Sequence, residues 1–353
     1  MTGRWGNIAV LYKLTSDKFR ASLYTMTAIK QDSTHSAETI FEPSINHLHT
    51  SRHRKQLSEL EGNFLRSVYD LHYVTIPQLA RLHYKKVTRS ILTYVAAQLK
   101  ALDEEHADYV QRGYLGRAVR FGHNPSVFRL SRRGINHMAS LRLSPLPNFR
   151  PSDPFPSFDK LAHTLEINDF IVAAKQLTSY SPGYSLVQCI HDWIFQHNPV
   201  VIANGKKQES KVAVIPDAWL DFRLPAAPDC PRPPRLPIHL ELDRGTENQM
   251  DTFKAKLHSL LTYIDGPYEQ RFNTKLITIA FAVAGKVNRP LRHDLIRTWC
   301  EQVLKERNRE NDASVFYFCA LPEGTLDPTW LFLRPVWLTP FDTTPKVLLD
   351  PTI

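Results

Sequence analysis

Three acidic side chains and a lysine in the second half of this sequence have the types and spacing that phosphate chemistry needs. In PIHLELDRGTEN, period-two alternation puts Ile238, Leu240 and Leu242 on one face of a strand and His239, Glu241 and Asp243 on the other. Three polar residues along an otherwise apolar strand are costly to bury without a purpose. Upstream, KVAVIPDAWLDFR alternates in the same way and groups Asp217, Trp219 and Asp221, with Asp217 directly after Pro216. Carboxylates on adjacent strands supply the oxygen ligands that Mg2+ or Mn2+ takes. Phosphodiester hydrolysis also needs a cation near the developing charge. Lys256, on the following helix, can reach that place, with Lys254 as the lesser choice. Glu166, from an earlier helix, would be an accessory ligand. The candidate catalytic residues are therefore Asp217, Glu241 and Lys256, and the candidate metal ligands are Asp217, Glu241, Asp243 and Glu166. The plain alternative for the polar face is an edge strand with one wet side.

The elements that must hold these residues follow from periodicity. Helices are expected over about 159–177, 247–264 and PLRHDLIRTWCEQVLKER; strands are expected at YSLVQCIHDWIF, at the two stretches above, and at KLITIAFAVA and SVFYFCALP. Alternating helices and strands of this kind make a mixed-sheet α/β domain, here placed at 159–340 with a tail at 341–353. The stretch 144–158 carries five prolines without periodicity and reads as a linker between domains.

The first half has a different character. Residues 51–142 hold 16 Lys/Arg and 7 Asp/Glu, so the whole net charge of +9 sits in this segment. A basic domain joined to a neutral one is an electrostatic footprint for nucleic acid. After a polar arm at 1–52, the segment 53–143 shows three helical patterns, the third running through VTRSILTYVAAQLKALDEE. Two strand-like pieces and a closing helix follow. This order makes a winged helix-turn-helix, whose third helix enters the major groove. Lys85, Lys86, Thr88 and Arg89 lead that helix; Arg112, Arg117 and Arg120 lie on the hairpin, where a wing meets phosphate. The expected partner is double-stranded DNA.

Composition narrows the remaining classes. At 42% hydrophobic, the chain can bury a core. No apolar run approaches the roughly 20 residues of a membrane span, and the N-terminus lacks the pattern of a secretory signal. Cys189, Cys230, Cys300 and Cys319 are far apart and read as free thiols of a cytoplasmic protein.

Pro216-Asp217 followed by Glu241-Leu242-Asp243, with a lysine nearby, resembles the constellation of PD-(D/E)XK nucleases. Asp243 stands where those enzymes usually carry lysine, so the lysine would come from Lys256. More broadly, VTIPQLARL, YVAAQLKAL, VFRLSRRG, HTLEINDF, IPDAWLDF and LELDRGTEN followed by FKAKL resemble the replication-relaxation family of plasmid and mobile-element proteins. The resemblance implies a winged helix plus a nuclease-like fold, acting in plasmid replication or DNA relaxation, with other replication or transfer proteins as further partners. Three functions stand side by side at this point: a DNA-binding protein of a mobile element, a Mg2+-dependent endonuclease, and a transcription regulator whose second domain dimerises or binds a partner.

Overall fold

A computed structural model describes residues 57–104, 107–115, 125–148, 153–203, 211–226, 234–245, 249–285 and 288–350. The arm at 1–52 lies outside these residues. The first helix, α1 (Glu59–Leu71), opens with a capping box in which Ser58 and Glu61 satisfy each other's backbone donors. Strand β1 (Val74–Thr75) leads into α2 (Ile76–His83), where Thr75 and Gln78 repeat that box and Pro77 occupies the first turn. Helix α3 (Arg89–Asp103) follows, capped by the Thr88 hydroxyl. Strands β2 (Val110–Tyr114) and β3 (Ser126–Leu130) pair antiparallel, and β1 adds to β3, giving a three-stranded sheet in the order β1-β3-β2. Helix α4 (Arg132–Ser140) closes this half. Its first turn presses so tightly on the chain entering β2 that a Cβ on Gly134 would lie 2.1 Å from the Tyr109 carbonyl oxygen.

The second half opens on α5 (Phe158–Tyr180), followed by β4 (Ser185–His191), α6 (Asp192–His197), and the hairpin β5 (Val200–Ala203) and β6 (Lys211–Val214). Next come β7 (Ala218–Arg223), β8 (Arg235–Asp243), α7 (Met250–Ile264), α8 (Pro267–Phe272) and β9 (Thr278–Val283). The chain ends with α9 (Arg289–Glu306), β10 (Phe316–Ala320), α10 (Pro328–Leu333), β11 (Trp337–Thr339) and β12 (Asp342–Lys346). Seven strands form one mixed sheet in the order β12-β11-β10-β9-β8-β7-β4, parallel across β8-β9-β10 and antiparallel elsewhere. The α/β class expected from the sequence is the class observed.

Several local expectations change. KVAVIPDAWLDFR is two strands, because the chain leaves the sheet at Pro216, which has no N–H to give a ladder; β6 instead pairs with β5 in a separate two-stranded sheet. YSLVQCIHDWIF ends as a strand at His191 and turns into α6. β8 is a central strand, so the wet-edge explanation of its polar face fails: His239 and Glu241 are 0% and 4% exposed. Residues 342–346, expected within a tail, form β12, and Leu348 and Leu349 are buried in the core.

One face of the large sheet carries α5 and the other carries α7 and α9. On the second face Phe253, Leu257, Ile296 and Val303 pack on Trp219, Ile279, Phe281 and Phe318. On the first, a single apolar cluster runs from Phe64, Val68, Leu79 and Leu99 through Phe170 and Ile171 to Leu220 and Leu240. Both halves of the described chain therefore share a core. Polar groups tie them as well. The buried Asn168 amide donates to the carbonyls of Leu71 and Tyr73, at 3.2 and 2.6 Å, and satisfies orphan acceptors where α1 ends. Arg81 reaches Asp169, Gln176 and the Leu326 carbonyl, and Gln78 donates to the Leu165 carbonyl. From 144–158, Pro145 accepts from the Tyr69 hydroxyl, and the Asp153 carbonyl accepts from Arg129. No described helix is long and apolar enough to cross a membrane. Cys189, Cys300 and Cys319 are free thiols, and Cys230 lies outside the described residues.

Candidate functional site

Two regions carry the residues singled out above. The first is the exposed side of α3. Only Val95, Leu99 and Leu102 of this helix are fully buried, so most of its surface faces solvent. Lys85, Lys86, Thr88 and Arg89 are all exposed at its leading end, together with Ser90, Thr93 and Tyr94. No acidic residue occurs from Lys85 to Leu102, and the helix N-terminus adds its own partial positive charge there. Thr88 spends its hydroxyl locally, accepting from Ile91 N–H and bonding Ser90. It frames the surface rather than reaching outward. Arg112 lies exposed on β2, bonded to Ser126 at 3.0 Å and resting over the Tyr114 ring. Arg117 and Arg120 lie outside the described residues.

The second region is the end of β8. Here the structure brings together some of the expected set and separates the rest. Glu241 and Lys256 meet: Nζ lies 2.7 Å from Oε2, while Oε1 contacts His239 Nε2 at 2.5 Å. Burial alone would raise the Glu241 pKa, but Lys256 and His239 outweigh it and hold the carboxyl below its ordinary range. Asp217 pairs with a different group. Its Oδ1 sits 3.0 Å from His163 Nε2 on α5, and its Oδ2 accepts from the Leu242 N–H at 2.6 Å. Burial would lower the His163 pKa; the bond to Asp217 and its charge reverse this and hold it above the usual value. Asp243 takes Arg292 of α9 at 2.7 Å and also accepts from Gly245 N–H. Glu166 lies 2.8 Å from Arg244 Nε, although burial outweighs that neighbour and raises the Glu166 pKa. Lys254 turns to Glu306 on α9.

Each expected metal ligand therefore already has a cation of its own, and the four carboxylates are held by four different basic side chains. Among the described residues, no three of His, Cys, Asp or Glu come together in a way that holds a metal ion. In this arrangement the four carboxylates form no shared site for Mg2+ or Mn2+ among the described residues. Millimolar Mn2+ is accordingly expected to leave the melting temperature unchanged, since only a ligand that favours the folded state raises it. A Mn2+-dependent rise that Asp217→Asn or Glu241→Gln abolishes would overturn this.

Sequence reasoning missed His163, His239, Arg244 and Arg292 as partners. Three of them were in view: His163 lies in HTLEINDF, and His239 and Arg244 flank Glu241 and Asp243. An unexplained cation next to a singled-out acid was the available signal. Arg292 had none, because it arrives from 49 residues downstream.

A family model described as replication-relaxation matches residues 65–278, more than half of the chain, from within α1 to the start of β9. No curated protein and no solved structure matches.

Proposed function

From the premise that the chain belongs to the replication-relaxation family, we propose that it is a DNA-binding protein of a plasmid or mobile element, acting in replication, relaxation or transfer. The observation that carries this reading is the solvent-facing side of α3, basic at its leading end and free of acids to Leu102. We read α1 to α4 with the β1-β3-β2 sheet as a winged helix, with α3 in the major groove and the β2–β3 hairpin against phosphate. Lys86 and Arg89 then read bases while Arg112, Arg117 and Arg120 hold the backbone. In the nuclease-like reading of the second half, DNA cutting keeps one favourable observation, the pairing of buried Glu241 with the partly exposed Lys256; a plasmid nicking assay with and without Mg2+ or Mn2+ tests it.

Duplex binding by the full chain, followed by fluorescence anisotropy across salt concentrations, tests the main reading. Each phosphate contact is expected to add about 0.9 to the log–log salt slope. Lys86→Ala with Arg89→Ala should cost roughly 1–3 kcal/mol and relax sequence preference. Arg117→Ala with Arg120→Ala should weaken all sequences alike. A flat salt response, or equal loss of preference in both double variants, counts against it.

A further inference from the structure

The β5–β6 hairpin stands apart from the large sheet and arches beside α7, and a cavity of about 840 Å3 lies between them. Its two walls differ in chemistry. The hairpin side is aliphatic, with Val212 half-buried and Ile215 exposed, over the buried Ile202 and Val214. The α7 side is polar, with Lys256, Ser259 and Thr262 in a stripe one helical turn apart, and Arg307 stands at the rim just past α9. Glu241 lies at the floor, neutralised by Lys256. The guanidinium of Arg307 then tips the lining towards positive charge. Both hydroxyls donate to helix carbonyls, Ser259 to Ala255 at 3.1 Å and Thr262 to His258 at 3.0 Å. Their lone pairs remain to accept from N–H groups.

We propose that this slot binds a single strand of DNA, with bases against the aliphatic hairpin wall and a phosphate towards Arg307. The inference rests on the DNA-binding reading above and adds the form of nucleic acid that the second half takes. Size supports one strand over two. A volume of 840 Å3 corresponds to a cube with an edge of about 9 Å, whereas the major groove alone is about 12 Å wide. The chemistry agrees. Every base offers an apolar face and ring or exocyclic N–H groups at its edge, and every linkage carries one negative charge. An apolar wall facing acceptors and cations matches that combination. In replication or relaxation, one strand must leave the duplex, and this slot lies on the same compact unit as α3.

The test uses the full chain with two labelled probes, a twelve-nucleotide oligothymidylate and a duplex, in anisotropy titrations. Ser259→Trp, which fills the slot, should weaken oligothymidylate binding at least tenfold and leave duplex binding unchanged. Arg307→Ala changes only an exposed side chain and keeps the test valid if Ser259→Trp fails to fold. It should reduce the single-strand salt slope by about 0.7, one phosphate's share. Lys86→Ala with Arg89→Ala should do the reverse, weakening the duplex and sparing the single strand. The inference is overturned if wild-type protein does not bind the oligothymidylate while binding duplex. It is also overturned if neither slot variant matters, or if the Lys86/Arg89 pair removes both activities. Failure of both probes on wild-type protein instead overturns the DNA-binding reading itself.

Discussion

Arg81→Ala is expected to lower stability by about 3–5 kcal/mol, the loss seen when one partner of a buried, hydrogen-bonded charge pair is removed. Arg81 is 8% exposed, and its guanidinium serves three acceptors: Leu326 O at 2.8 Å, Gln176 Oε1 at 3.2 Å and Asp169 Oδ1 at 3.3 Å. Truncation leaves all three without that donor in a region where water cannot fully replace it. Asp169 makes the loss worse, since burial already pushes its pKa up to about 6 and Arg81 is one of the groups opposing that rise. The measurement has a built-in reporter. Five of the six tryptophans, all but Trp5, lie at or beyond Trp193, in the second half, while Arg81 lies in α2 of the first. If the halves unfold together, tryptophan fluorescence and circular dichroism shift by the same amount in Arg81→Ala. Coincident midpoints of different probes are the mark of one cooperative transition. A tryptophan midpoint that stays put while the circular dichroism splits into two steps would refute the shared core.

Acid should loosen the same seam. His72 ends α1 with φ of 64°, and its ring packs against Tyr73 and Trp193, the latter from the second half. Burial, reinforced by the charge of nearby His191, Arg129 and His197 and opposed by Asp192, pulls its pKa from 6.5 down to about 3. A base whose folded pKa is depressed gains its proton more readily in the unfolded chain. The stability it preserves is complete above pH about 6.5 and falls as the pH drops towards 3. The full effect is on the order of 3–5 kcal/mol. His83, lowered by burial, acts in the same direction, while His163, raised by Asp217, acts in the opposite one. Only the difference between variant and wild type isolates His72. Asn adopts positive φ more readily than most residues and does not titrate. His72→Asn should therefore flatten the fall in melting temperature between pH 7 and pH 4; an unchanged profile would rule out His72 as the source.

The parts legible in the sequence are those whose causes are local. Ser58 with Glu61, Thr75 with Gln78, and Thr88 each fix a helix start within four residues, so α1, α2 and α3 could be placed from spacing alone. The alternation of β8 was equally plain. That both its faces are covered was not, since this depends on α5 and α7, which the chain supplies far apart. The sequence reading assigns the candidate carboxylates a shared metal ion, whereas in the structure each is paired with a basic side chain. Which cation each receives is a matter of tertiary placement: His163 comes to Asp217 from 54 positions away, and periodicity holds no information at that range. Asn168 shows the same limit, because a buried amide that ends another helix looks in sequence like one more polar residue in HTLEIND.

The shared core also constrains the order of events at the ribosome. Phe64, Val68 and Leu79 share one apolar cluster with side chains of α5, such as Phe170 and Ile171. Synthesis at about 5–20 residues per second puts an interval of several seconds between the end of α4 and the end of α5. During that interval the basic first half has emerged without its seat. A nascent chain therefore cannot present a fully braced α3 before the second half has begun to form, and a message truncated within 144–158 would yield an unsupported fragment open to proteolysis rather than a small competitor for the same DNA.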